Sequence, residues 1–287
     1  MLKVNKIYSL KLLIPAAIIY GLLFVFPTVM SFFFSFTRWN LREWTWIGFD
    51  NFKMFFDDPS LLIGFKNTFI FAFVTTILKV IFGLLFAVFL TSKIKTKDFL
   101  RSAIFFPVLV STIAVGIAFS VLMHPSEGLI NEVLAFFGIS GPNWLGNPTL
   151  ALYSVALVDV WKGVGIATVI FIAGMMSIPK DYYEAIQIDG GNKFDAFKNI
   201  TLPLSRPATN AVIILALIGG LRTFDLVWAM TGGGPGFSSD LIASIIYKQY
   251  QAGFYGLSTA GNVILFLLVA LIVFPIFKML TRKEVDI

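Results

Sequence analysis

The sequence predicts an all-α membrane protein with six transmembrane helices. Three observations carry that reading. The 287 residues are 57% hydrophobic and only 13% charged, with a mean hydropathy of +0.86. Soluble domains run at roughly 45–50% apolar and about 25% charged, so a chain of this composition folded in water would expose large apolar patches. The apolar residues fall into six runs, each long enough to cross a hydrocarbon core that needs about 20 helical residues. The charges gather in the short segments between those runs.

Taken in order, the expected spans are about 12–36, 66–90, 102–123, 151–175, 208–230 and 257–280, within one membrane domain over residues 1–287. The first follows a basic start (Lys3, Lys6, Lys11), a pattern shared with signal peptides. Its apolar run is too long for one and no small-residue cleavage site follows, so an uncleaved span is expected. The loop after it carries Trp39, Trp44 and Trp46, residues that favour the membrane–water interface. Pro107 marks a kink in the third span and Pro125 a helix end beside His124, a polar helix-end residue.

Orientation follows the placement of Lys and Arg. The N-terminus, the turn around 91–101, the 179–207 stretch and the tail hold 14 basic residues, against five on the other side: Arg38, Arg42, Lys53, Lys66 and Lys248. Both termini and the 179–207 stretch are therefore expected in the cytosol. The net charge of +6 reports this orientation and does not point to nucleic acid. The absence of Cys excludes disulfides, thiol catalysis and Cys-ligated metals, and a single His leaves no His-based metal site. No cofactor or metal is expected on the chain, and no enzymatic constellation is present.

The stretch from Pro179 to Pro207 is unlike the rest: amphipathic, with four acidic and four basic residues. Pro179 suits a first helical turn. Tyr182, Ala185, Ile186 and Asp189 recur at helical spacing. Gly190-Gly191 breaks the pattern, Phe194, Phe197 and Ile200 form a second apolar face, and Pro203 and Pro207 stop it. Such a helix–break–helix needs a partner groove or a lipid surface. Lipid-surface helices favour a basic face, and this stretch is neutral.

Glu184-Ala185-Ile186, three residues, Gly190, nine residues, then Ile200-Thr201-Leu202-Pro203 resembles the EAA loop of permease subunits of binding-protein-dependent ABC importers. Ile186 stands where the family usually has a second Ala. Gly48-Phe49-Asp50-Asn51-Phe52, Asn67-Thr68, Arg101 to Pro107, His124-Pro125, Gly128 to Asn131, Asn143-Trp144-Leu145, Trp161-Lys162, Phe224-Asp225-Leu226 and Thr231 to Pro235 resemble its carbohydrate-uptake branch, the maltose, raffinose and glycerol 3-phosphate type.

The resemblance implies the type I importer permease fold with a cytosolic coupling helix. Glu184, Ala185, Ile186, Asp189, Gly190, Phe194, Phe197, Ile200, Leu202 and Pro203 would couple to an ATPase. It also implies the partners: a second homologous permease subunit, two ABC ATPase subunits carrying ATP and Mg, an extracytoplasmic solute-binding protein, and the lipid of a bacterial or archaeal cell membrane. A sugar or oligosaccharide is the expected cargo, with glycerol 3-phosphate or another polyol derivative as the alternative.

Charged residues within spans are costly and need a partner or water. Asp159 with Lys162, and Arg222 with Asp225, lie three apart and can share a helix face. With Trp161, Trp228 and Asn262 they are the candidates for a substrate path, where hydrogen-bonding groups and aromatic faces suit a sugar. Structural pairing or snorkelling is the competing explanation, with structure or gating favoured for Arg222 and Asp225; Lys79 is a weaker path candidate, with snorkelling as its competing explanation. Thr231 to Gly236 lacks the Lys-Ser/Thr of a phosphate loop and is expected as a flexible outer turn. An ion-coupled secondary transporter, the rival class, would want intramembrane carboxylates or broken helices. Asp159 is one such carboxylate, but no internal repeat is visible.

Overall fold

The computed structural model describes residues 10–92 and 94–282. The lysines at 3, 6, 93 and 283, used for the orientation, lie outside the described residues. The elements are almost all helical: α1 (Ile14–Phe34), a hairpin of β1 (Thr37–Trp39) and β2 (Trp44–Trp46), α2 (Asp50–Asp57), α3 (Pro59–Thr91), α4 (Lys97–Leu109), α5 (Thr112–Leu122), α6 (Leu129–Phe136), α7 (Ala151–Met176), α8 (Lys180–Ile188), α9 (Lys193–Leu204), α10 (Arg206–Leu221), α11 (Asp225–Thr231), α12 (Ile242–Gln251) and α13 (Tyr255–Thr281).

Four of these (α1, α3, α7 and α13) are long and apolar enough to cross a membrane, and six crossings result if each of two bent helix pairs counts as one. The third expected span, about 102–123, is not one helix. α4 and α5 meet at 99°, because Val110 and Ser111 turn extended (ψ 141° and 133°) just after Pro107. The fifth expected span, about 208–230, is also broken. α10 ends at Leu221 and α11 begins at Asp225, while at its other end α10 meets α9 at 63°.

Two prolines are accommodated without a break. Pro27 lies in α1 and Pro203 in α9, and each follows a π-helical turn, at Gly21–Val25 and Phe197–Thr201. A proline ring clashes with the carbonyl four residues before it. That carbonyl belongs to Leu23 or Asn199, inside the widened turn, which makes the room.

The chain packs as two compact units. The first comprises Met1–Pro59 with Ile246–Phe266. Here β1 and β2 pair antiparallel, with Thr37 opposite Trp46 and Trp39 opposite Trp44. Asn40 Oδ1 accepts from the backbone N–H of Arg42 and Glu43 and closes the turn. Trp39 stacks on Phe34 at 4.1 Å, and buried Asn51 donates to the carbonyls of Ser35 and Thr37. Gly256 and Gly261 let the start of α13 lie against the Thr37 carbonyl and the Phe55 ring.

The second unit comprises Ser60–Ile245 with Leu267–Ile287. α7 is the most buried of the long helices. Its contacts are made through small residues. A Cβ on Gly83 would sit 2.7 Å from that of Ala167, and one on Gly174 2.5 Å from that of Ala208. In lipid, helices associate by such close backbone approach and not by the hydrophobic effect. Larger side chains fill the rest: Phe71, Val155, Val158, Leu226 and Leu241 in one cluster, Leu90, Phe171, Met175 and Val212 in another.

Candidate functional site

The 179–207 stretch folds as the rigid turn its sequence encodes. Pro179 sits one position earlier than the first turn, as the extended residue before α8 (φ −57°, ψ 140°). At the other end Gly190 takes φ +81°, a left-handed conformation that glycine adopts without penalty. Gly191 N–H donates to Ile186 O at 2.8 Å and Gly190 N–H to Gln187 O at 3.1 Å, the paired bonds of a Schellman stop. Asn192 then starts α9 with a capping box. Its Oδ1 accepts from Phe194 and Asp195 N–H, and Asp195 Oδ2 accepts from Asn192 N–H. The break is thus capped on both sides.

The capped turn holds two apolar side chains outward. Ile188 is 86% and Phe194 68% exposed, flanking Gly190, and Tyr182 is exposed on the same helix as Ile188. Glu184, Ala185, Asp189 and Leu202 are exposed as well; Ile186, Phe197 and Pro203 are half-buried. Ile200 is buried, and Tyr183 OH lies 3.0 Å from Thr201 Oγ1, tying α8 to α9. Of the ten residues expected to couple, Ile200 therefore serves as an anchor within the chain.

The charged residues within the helices pair differently from the expectation. Asp159 does not meet Lys162. Its Oδ2 accepts from Lys79 Nζ at 2.6 Å, with side chains only 18% and 11% exposed, joining α7 to α3. Lys79 is thus an interior ion-pair partner. Its polar signal was legible, but the partner 80 positions away was not. A Cβ on Gly163 would lie 2.7 Å from Lys79 Cε, so this glycine makes room for the lysine stem. Lys162 instead points its Nζ to Val108 O at 3.5 Å, in the last turn of α4. Carbonyls there lack helical partners, and a lysine is a suitable cap.

Arg222 and Asp225 do not share a helix, because Arg222 caps the end of α10 and Asp225 opens α11; both are exposed. Trp228 stacks on Phe224 and Trp161 lies against Phe119, ring centroids 5.7 and 5.1 Å apart. Asn262 is exposed on α13.

The turn from Thr231, expected to be flexible, is tied down. Asn67 Nδ2 on α3 donates to the carbonyls of Ser238 at 2.9 Å and Asp240 at 3.0 Å. Thr231 and Ser239 hydroxyls bond at 2.8 Å, and Ser244 Oγ donates to fully buried Asp240 at 2.7 Å. Asn67 was visible in sequence as part of the Asn67-Thr68 resemblance, without any sign of its partners about 170 positions away.

Comparison with known proteins places this geometry. Residues 79–285 match the family of binding-protein-dependent transport system inner membrane components. The trehalose/maltose transport system permease protein of Thermococcus litoralis is 33% identical over 260 residues, covering 90% of this chain and 88% of that protein. The arabinooligosaccharides transport system permease protein of Bacillus subtilis is 32% identical, covering 82% and 76%. Among solved structures, a bacterial ABC transporter involved in the import of the acidic polysaccharide alginate matches with a TM-score of 0.84 at 23% identity, covering 95% of this chain and 94% of its counterpart. That likeness shows the type I importer permease fold. The chain belongs to the binding-protein-dependent transport system inner membrane components, as a multi-pass permease subunit of the carbohydrate-uptake branch of ABC importers.

Proposed function

We propose that the chain forms half of a translocation path for a sugar or oligosaccharide, and that the 179–207 stretch transmits the force that drives it. The observation that carries this is the doubly capped turn holding Ile188 and Phe194 outward around Gly190. A rigid helix end with two exposed apolar side chains fits a groove on another protein. Its neutral charge does not favour anionic lipid.

In this reading the groove belongs to an ATPase subunit, where ATP and Mg bind. A second permease subunit completes the path, and a solute-binding protein delivers cargo from the far side. Both termini face the cytosol of a bacterial or archaeal cell. Relatives named for trehalose and maltose and for arabinooligosaccharides support a carbohydrate cargo. The path is assigned to the α7 residues Asp159, Trp161 and Lys162, with Arg222, Asp225, Trp228 and Asn262 as further contributors.

The test uses the complete importer in proteoliposomes with radiolabelled maltose and trehalose. Gly190→Leu places a branched side chain at φ +81°, where non-glycine residues are strained by about 1–2 kcal/mol. Its site is open, so the subunit still inserts. Uptake by the variant is expected to fall at least tenfold while the permease remains in the membrane. Uptake at the wild-type rate would sink the coupling assignment.

A further inference from the structure

α3, α7 and α10 line a half-open cavity of about 200 Å³, with Lys79, Gly163 and Ala167 on its inner side and the exposed Ile166 and Leu215 at its mouth. Lys79 is the single charged residue in that lining. An ammonium has three donors, and one is committed to Asp159 Oδ2 at 2.6 Å. The pair is therefore electrically neutral as seen from the cavity. Lys162, on α7, is turned to a backbone carbonyl and does not line it.

A neutral buried pair and a lone buried ammonium act very differently on a ligand. In an interior of low dielectric constant an uncompensated cation either loses its proton or draws in an anion. A compensated one offers hydrogen bonds without net attraction for charge. The remaining Lys79 donors and the apolar walls match the hydroxyls and C–H faces of an uncharged saccharide.

We infer that Asp159 is a specificity-determining residue: by neutralising Lys79 it keeps the cavity between α3, α7 and α10 electroneutral, so that it admits uncharged carbohydrate and gives anionic cargo no advantage. This rests on the sugar-import reading and narrows its cargo, setting aside phosphate esters such as glycerol 3-phosphate. It also explains why Gly163 faces the lysine stem. A side chain there would displace Lys79 from its carboxylate.

The experiment uses the permease in its complete importer complex in nanodiscs, with sodium sulfate as the anionic probe. Binding is read by thermal shift against sodium chloride of equal ionic strength. Asp159→Asn unmasks the ammonium, and its apparent sulfate affinity is expected to rise at least tenfold over wild type. Lys79→Met combined with Asp159→Asn is expected to abolish that gain. No gain in the single variant, or a gain that persists in the double variant, would overturn the inference.

A lone ammonium can prevent Asp159→Asn from assembling, so a second comparison stands beside it. Wild type is read against Lys79→Met/Asp159→Leu, which has no charge at either position. The inference requires equal sulfate responses from these two. A stronger response from wild type reveals an unmasked cation and overturns it. Failure of the import reading itself shows separately, as absence of wild-type sugar uptake.

Discussion

Two glycine-containing turns of this chain have opposite designs. The turn at Gly190 satisfies its backbone locally, through the Schellman bonds and the Asn192–Asp195 box, and leaves Ile188 and Phe194 uncovered. The turn from Thr231 to Asp240 reaches outside itself. It borrows the Asn67 amide from α3, buries Asp240 completely and packs Gly233 against that carboxylate. A turn that closes its own hydrogen bonds can offer its side chains to another protein. A turn that depends on a neighbouring helix is part of the helix packing. Glycine content does not separate the two; the source of the hydrogen-bond partners does.

The comparison is broken most directly at Asn67. Asn67→Leu removes the amide that serves the carbonyls of part-buried Ser238 and buried Asp240, and a buried group losing its hydrogen bond costs about 1–3 kcal/mol. The 231–240 segment should become cleavable by limited proteolysis and the subunit's thermal midpoint should fall. An unchanged cleavage pattern would show that the turn holds itself together. Ile188→Asp probes the other design. Its side chain is exposed, so stability should move by less than about 0.5 kcal/mol. ATPase co-purification with the permease should nevertheless drop several-fold, and retained co-purification would remove Ile188 from the docking surface.

Asn192→Ala is the smallest change. It removes one side of the cap, for about 1 kcal/mol at the start of α9. Amide exchange at Phe194 and Asp195 should accelerate while the 231–240 segment stays protected. Faster exchange in both places would mean that the two turns are not independent.

The Gly190 turn was legible in sequence because its determinants are local: a glycine at the stop, and an amphipathic pattern on either side. The long apolar helices were legible for the same reason. The breaks were harder to see. Val110 and Ser111 are ordinary residues, and only Pro107 hinted at the 99° bend. The interruption at Arg222–Phe224 carries no proline or glycine of its own. Long-range pairings were invisible. Asp159 has a lysine three positions away at good helical spacing, yet its partner is Lys79 on another helix. Spacing along one helix identifies which residues can meet. Packing between helices decides which do, and here Lys162 was claimed by the free carbonyl of the broken α4.

The distance along the chain between Lys79 and Asp159 has a consequence for biogenesis. Synthesis runs from the N-terminus, so α3 enters the bilayer while α7 is still unmade. During that interval the lysine has no carboxylate. A lysine at the centre of an inserting helix costs about 2.5–3.5 kcal/mol on insertion scales, and the 33 residues of α3, with an 18-residue stretch of mean hydropathy 2.5, carry it across. The carboxylate on α7 arrives to a cation already in place, and its own entry is eased by that charge. The order of the two charges along the chain thus assigns the unaided crossing to the longer and more apolar helix.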